Sequence, residues 1–195
     1  MSSIEDIHTR LNDVLAKAVS MGLADTFYHQ NRVMLSHYEI VMAEYLADQY
    51  PAKTRVLELG CGFGQLSIAL AYFGFDVQGV EGSPPRVTGS KFFKGELPDL
   101  PYKLVEGYYP AVEHGPFDVL VGTNLVSGFY DNWNVPQEEK IPRLLQGKDA
   151  LLNLRLWWTV REGADEQEAL ARYIESFEYK ATQVGGPVWH FKVSQ

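Results

Sequence analysis

Three glycines spaced two apart, Gly60, Gly62 and Gly64, separate an apolar run, Val56-Leu57-Glu58-Leu59, from a helical one, Gln65-Leu66-Ser67-Ile68-Ala69-Leu70. Glycine lets a chain turn sharply at a strand end and lets a ligand approach main-chain atoms with no Cβ in the way. The chemistry on offer is the holding of a nucleotide-like ligand. A nicotinamide-dinucleotide fingerprint needs its third glycine at position 65, where this chain has Gln65, and Glu58 inside the strand is foreign to that pattern. Glu81 ends the next apolar run, Asp76-Val77-Gln78-Gly79-Val80-Glu81-Gly82-Ser83. A carboxylate there can accept the protons of both ribose hydroxyls. Cys61 has no activating His or Asp beside it in sequence and reads as a small loop residue.

Other chemistries are disfavoured by composition. A single cysteine excludes an intramolecular disulfide and a cysteine-built zinc site, and the five histidines, at 8, 29, 37, 114 and 190, lack close ligand spacing. No metal is expected. A net charge of −8 argues against general binding to a nucleic-acid backbone, which takes many Lys and Arg. The start, Met1-Ser2-Ser3-Ile4-Glu5-Asp6, lacks the basic and apolar regions of a signal peptide, and no apolar run is long enough for a membrane span. A cytoplasmic protein with no membrane partner is the expectation. With 195 residues and 46% of them apolar, the chain suits one well-filled core. A single domain over 1–195 is expected, helical over 1–50 and α/β over 51–195.

The elements that must position the glycine loop follow from hydrophobic period. Ser3 with Asp6 resembles a capping pair, and Ile4, Ile7, Leu11, Val14, Leu15 and Ala18 recur at helical spacing to about residue 20. The same spacing predicts a helix over 33–48, closed by Pro51. From Arg55 the pattern changes to short apolar runs, with strands expected near 54–59, 75–81, 102–107, 117–123, 150–158, 178–184 and 188–194. A helix is expected from Gln65 to Tyr72 with Gly74 as its stop, and another opened by Asp165 and Glu168 and reaching about Phe177. Pro142 predicts a broken or short helix between 136 and 146. Gly185-Gly186-Pro187, flanked by two apolar runs, reads as a hairpin that ends the sheet antiparallel.

The run Glu58-Leu59-Gly60-Cys61-Gly62-Phe63-Gly64 with Glu81 resembles the first two motifs of the class I S-adenosylmethionine-dependent methyltransferases, and the element order from about 54 to 195 resembles theirs. The resemblance implies a Rossmann-like three-layer α/β sandwich. Its mostly parallel seven-stranded sheet would end in an antiparallel hairpin, with the N-terminal helices as a lid. It implies S-adenosyl-L-methionine as cofactor, S-adenosyl-L-homocysteine as product, and a loop of Gly60, Cys61, Gly62 and Gly64 along the methionine part. Glu81, followed by Gly82, would hold the ribose, and Glu58 would orient the loop or reach the cofactor's amino group. Glu106, in Glu106-Gly107-Tyr108, falls where the family often places an acidic or polar residue near the adenine. Asn124, in Thr123-Asn124-Leu125-Val126-Ser127, stands where many members carry an Asp or an Asn-Pro-Pro-aromatic motif; this departure disfavours the amino-methylating subgroup defined by that motif and leaves the acceptor atom open.

Candidates for the acceptor side are His29 as a general base, with Tyr28 and His37 beside or near it in the N-terminal part, and Tyr130 and Trp133 after the fourth strand. Each has a plain structural alternative, an exposed or helix-packed histidine or an ordinary aromatic loop. A sulfonium methyl is already activated, so no single catalytic side chain is obligatory. The expected activity is methylation of a nitrogen or oxygen of a small molecule. The alternatives are a sensor or non-catalytic module on the same fold and, less favoured by Gln65, a nicotinamide-dependent oxidoreductase.

Overall fold

The structure is a computed structural model that describes residues 4–23, 35, 37–123, 136–154 and 164–194. The elements along the chain are α1 (Ile4–Ser20), α2 (His37–Gln49), β1 (Arg55–Leu59), α3 (Gln65–Tyr72), β2 (Asp76–Glu81), α4 (Pro84–Glu96) and β3 (Lys103–Glu106). They continue as β4 (Val119–Gly122), α5 (Gln137–Leu145), β5 (Asp149–Asn153), α6 (Ala164–Glu175), β6 (Tyr179–Gly185) and β7 (Val188–Val193).

Strand alternation builds two cores on one sheet. Val56, Val77, Val119, Val121 and Leu151 face a cluster completed by Ile7 and Leu11 of α1, Met42 and Leu46 of α2, Leu66 and Ile68 of α3, and Phe93 of α4. Their neighbours Leu57, Leu59, Val80, Leu120, Ala150 and Leu152 face the other way, onto Ile141 and Leu144 of α5 and Ala171 and Ile174 of α6. Burial on both faces is the reason β4 and the inner residues of β5 are wholly apolar. The strand order is β3-β2-β1-β4-β5-β7-β6, with β3 through β5 parallel and β7 antiparallel to both β5 and β6. The order reverses direction between β1 and β4. In open α/β sheets ligands bind outside the carboxyl ends of the strands at such a reversal, which here is the glycine loop that follows β1.

Several expectations need adjustment. Leu35 is buried but lies outside the helix, so α2 begins at His37 and not at 33. The helix around Pro142 is short, as expected, but unbroken: α5 spans nine residues and runs through Pro142, its sixth, at the cost of the bond an N–H there would make to Glu138 O. α6 already includes Ala164, which puts Asp165 in its first turn and not at its cap. The fifth strand stops at Asn153, and residues 155–163 lie outside those described. α4 was not anticipated by name, although Pro84 and Pro85 in its first turn and the buried Val87, Ser90 and Phe93 mark it well. Gly74 does stop α3, at φ +87°, with its N–H donating to Ala71 O and that of Phe75 to Leu70 O.

Candidate functional site

All three loop glycines take the left-handed backbone, with φ of +63° at Gly60, +59° at Gly62 and +85° at Gly64. L-residues rarely adopt that region, so the sequence pattern has a steric cause. The three are not equivalent. A Cβ on Gly64 would fall 2.2 Å from the Tyr102 hydroxyl, whereas one on Gly62 would meet nothing nearer than Gln65 Oε1 at 4.0 Å. Gly64 is needed inside, for packing. Gly62 faces open space, where a ligand's approach is unobstructed.

Glu81 is only 5% exposed at the end of β2, and both of its oxygens accept backbone hydrogen bonds, Oε2 from Gly62 N–H at 3.0 Å and Oε1 from Ser83 N–H at 2.8 Å. The carboxylate thereby ties the glycine loop to the start of α4. A carboxylate has about four lone-pair sites, so two remain for ribose hydroxyls. Arg86, in the first turn of α4, comes within 3.9 Å of Oε2. The adjoining Gly82 is covered by Tyr108, whose ring a Cβ at position 82 would meet at 2.4 Å, yet Tyr108 itself is 70% exposed.

Glu58, 2% exposed in β1, accepts a 2.5 Å bond from Ser67 Oγ in α3. Burial raises its pKa to about 8; the Ser67 hydrogen bond pulls the other way, while the fields of Glu39 and Glu81 add to the rise. Glu39 is itself buried on α2, the helix that packs against α3. Three carboxylates from three elements therefore surround one loop, and the arrangement favours either a proton on Glu58 or a ligand cation beside it. Gly79 lies opposite Glu58 in β2, and a Cβ there would strike Ser67 Oγ at 2.8 Å and Cys61 Sγ at 2.9 Å. Only a glycine admits both groups. Cys61 is buried, and burial, with the Glu58 and Glu81 carboxylates, pushes its thiol well above the usual range. It is no nucleophile. Tyr102 hydrogen-bonds with the Ser90 hydroxyl of α4 and presses on Gly64, fixing the loop from below.

Glu58, Gly60, Cys61, Gly62, Gly64, Glu81 and Gly82 are thus brought together at the carboxyl ends of β1 and β2. Glu106 ends β3 in register with Glu81, but its carboxylate is half exposed and paired with Lys91 at 2.7 Å. His37 is exposed at the start of α2, its ring 5.7 Å from that of Tyr38. Asn124, Tyr28, His29, Tyr130 and Trp133 lie outside the described residues. Ser67, Gly79, Ser90, Tyr102 and Glu39 were missed by sequence reasoning. Two had a signal: a glycine inside a strand marks close approach, and Ser67 is a polar residue within the apolar stretch 66–71 of α3. Among the described residues no group of three His, Cys, Asp or Glu is placed to hold a metal ion, and no helix is long and apolar enough to cross a membrane.

No known protein-family description matches this sequence, and no curated protein does. Solved structures do. A TehB-like S-adenosylmethionine-dependent methyltransferase from Corynebacterium glutamicum aligns with a TM-score of 0.55 at 18% identity, over 79% of this chain and 88% of that one. The glycopeptide N-methyltransferase MtfA, in complex with S-adenosyl-L-methionine, aligns with 0.55 at 15% identity, over 79% and 86%. A candidate RNA methyltransferase from Pyrococcus horikoshii gives 0.58 at 11% identity, over 81% and 84%. At such identities the likeness is one of fold. This chain has the Rossmann-like fold of the class I S-adenosylmethionine-dependent methyltransferases.

Proposed function

We infer that this chain is a methyltransferase that binds S-adenosyl-L-methionine at the glycine loop and transfers its methyl group to a nitrogen or oxygen of a small molecule. The observation that carries the cofactor is the Gly62–Glu81 contact: the open glycine and the ribose-type carboxylate are hydrogen-bonded to each other at the sheet's reversal point. The space over Gly62 suits a ligand that a Cβ would obstruct. Solved neighbours of the same fold include MtfA with S-adenosyl-L-methionine and with the analogue sinefungin, which supports the same cofactor here.

In this reading Glu81 accepts the ribose hydroxyls, the loop of Gly60, Cys61, Gly62 and Gly64 lies along the methionine part, and Glu58 faces its ammonium. Glu106 borders the adenine side, and Asn124, after β4, is a further cofactor-binding residue. The cofactor supplies an activated methyl on a sulfonium. The chain's own residues have only to hold the acceptor in line, keep water out and take up a proton where the acceptor carries one. His29 is assigned to that last task and Tyr130 to orienting the acceptor, with Tyr28, His37 and Trp133 around it. A small acceptor is supported by the net charge of −8, which opposes a nucleic-acid backbone. The same reading takes the chain as one cytoplasmic domain.

Titration calorimetry with S-adenosyl-L-methionine, S-adenosyl-L-homocysteine and NADH tests the cofactor. Gly62→Arg, placed at the open glycine, is expected to abolish binding while the protein still melts cooperatively. Unchanged affinity in that variant, or binding of NADH alone, sinks the assignment. Transfer of labelled methyl to a low-molecular-weight extract, and not to RNA, tests the acceptor class.

A further inference from the structure

A chain of four polar groups, one buried and three half-buried, lies on α2's far end, away from the glycine loop. His190 of β7 is 2% exposed, and both of its ring nitrogens are engaged: Nδ1 by the Tyr45 hydroxyl at 2.9 Å and Nε2 by the Tyr50 hydroxyl at 2.8 Å. Tyr50 also reaches Asp149 Oδ2 of β5 at 2.8 Å, while Asp149 Oδ1 accepts Val193 N–H at 3.0 Å. The proton positions follow from valence. Asp149 as a carboxylate only accepts, so Tyr50 donates to it; the Tyr50 oxygen then accepts from His190 Nε2–H. In the neutral ring Nδ1 carries no proton and accepts from Tyr45, and a second proton there turns Tyr45 from donor to acceptor. A neutral His190 is thus held in one tautomer, stitched to α2 and to the turn after it.

A second proton on that ring finds poor company. Lys192 on the same strand is a like charge, with its Nζ 6.0 Å from the Tyr50 ring centroid, and the anion Asp149 sits beyond Tyr50. Among the other groups packed here, α2 offers Tyr45, with Asp48 acting on it, and the paired positions in β5 and β6 are the neutral Leu151 and Thr182. Burial and Lys192 lower the His190 pKa, against a smaller opposing effect of Asp149. A charged His190 is therefore best accommodated by admitting water between α2 and β7.

We propose that the Tyr45–His190–Tyr50–Asp149 chain is an acid-sensitive latch that keeps the C-terminal end of α2 docked on the sheet at neutral pH and releases it on acidification. Met42, Ala43 and Leu46, fully buried, keep the rest of the helix in place, so the opening is local. It lies on the element that also carries Glu39. The latch stands independently of the cofactor reading.

Hydrogen exchange of the full chain tests it, read at the Tyr50 amide, which donates to Leu46 O at 2.9 Å, with β1 and β4 amides as internal reference. The open form takes up a proton at the ordinary histidine pKa and the closed form only at a lower one. Between those two values each pH unit of acidification multiplies the open population by up to about ten. His190→Gln, which cannot charge, is expected to level this profile. Lys192→Met, an exposed change, is expected to shrink the acid-induced gain by making the closed histidine more basic, and it serves if the glutamine variant folds poorly. A flat profile in the native chain, an equal loss of protection in β1 and β4, or a full gain in Lys192→Met overturns the latch.

Discussion

Glu58→Gln separates the charge of the loop carboxylate from its shape. The side chain is buried with a pKa near 8 and keeps one hydroxyl donor, Ser67, that an amide oxygen serves equally well. In the unfolded chain the same carboxyl titrates at an ordinary value near 4.5. Because the folded-state pKa is the higher one, the folded form binds the extra proton. The group's contribution to stability is full below the unfolded value and is lost as pH rises toward 8. One pKa unit corresponds to about 1.4 kcal/mol, so the native chain forgoes about 3 kcal/mol at neutral pH that the glutamine variant retains. For a chain of this size that corresponds to a melting point roughly 6–10 °C higher for the ligand-free variant at neutral pH, with the gap closing toward acid. The assay is thermal or urea unfolding of both proteins across that pH range. Every other titrating group is common to both, so their difference isolates Glu58. With the cofactor's ammonium beside Glu58, as proposed, binding is expected to move oppositely: the ammonium favours ionised Glu58, so the native chain should release a proton on binding and gain up to about tenfold in affinity per pH unit below its pKa. The variant binds weakly and without that slope. Parallel stability curves, offset by a constant at all pH values, would falsify the claim that burial and the Glu39 and Glu81 fields keep this carboxyl protonated.

Three further substitutions probe the scaffold around the loop. Gly79→Ala drives a Cβ into Ser67 and Cys61 and is expected to cost roughly 1–3 kcal/mol in denaturant unfolding; no loss means that the close packing of β2 under the loop is misjudged. Tyr102→Phe leaves the fully buried Ser90 hydroxyl without its tyrosine partner and should destabilise by about 1–2 kcal/mol while preserving the shape that presses on Gly64. Glu81→Gln turns an amide N–H₂ toward one of two backbone donors; a fall of at least about tenfold in cofactor affinity is expected by calorimetry, and undiminished affinity removes the ribose assignment.

The part of the site that could be read from sequence is the part whose chemistry is local. Gly60, Gly62 and Gly64 need the left-handed backbone for steric reasons that hold in any fold, and Glu58 and Glu81 sit at strand positions fixed by hydrophobic period. The partners of these residues follow no such rule. Ser67 reaches Glu58 because α3 folds back over β1, Tyr102 reaches Gly64 and Ser90 because β3 lies two strands away from β1, and Glu39 acts on Glu58 from a helix that precedes the whole sheet. Such pairings are decided by tertiary contact alone. The same distinction explains the inner strands β1, β4 and β5, whose apolar runs reflect burial on both faces, and α4, which went unnamed although its prolines and apolar spacing announce it. It also sharpens what the carboxylates mean. Glu81 is satisfied by two backbone donors before any ligand arrives, whereas Glu58 is held against its own ionisation by burial and by like charges. The first is a rigid fixture that positions the loop. The second is kept protonated, and a ligand cation has to draw that proton off, so the cationic half of a ligand, more than its ribose, is expected to set the pH dependence of binding at this loop.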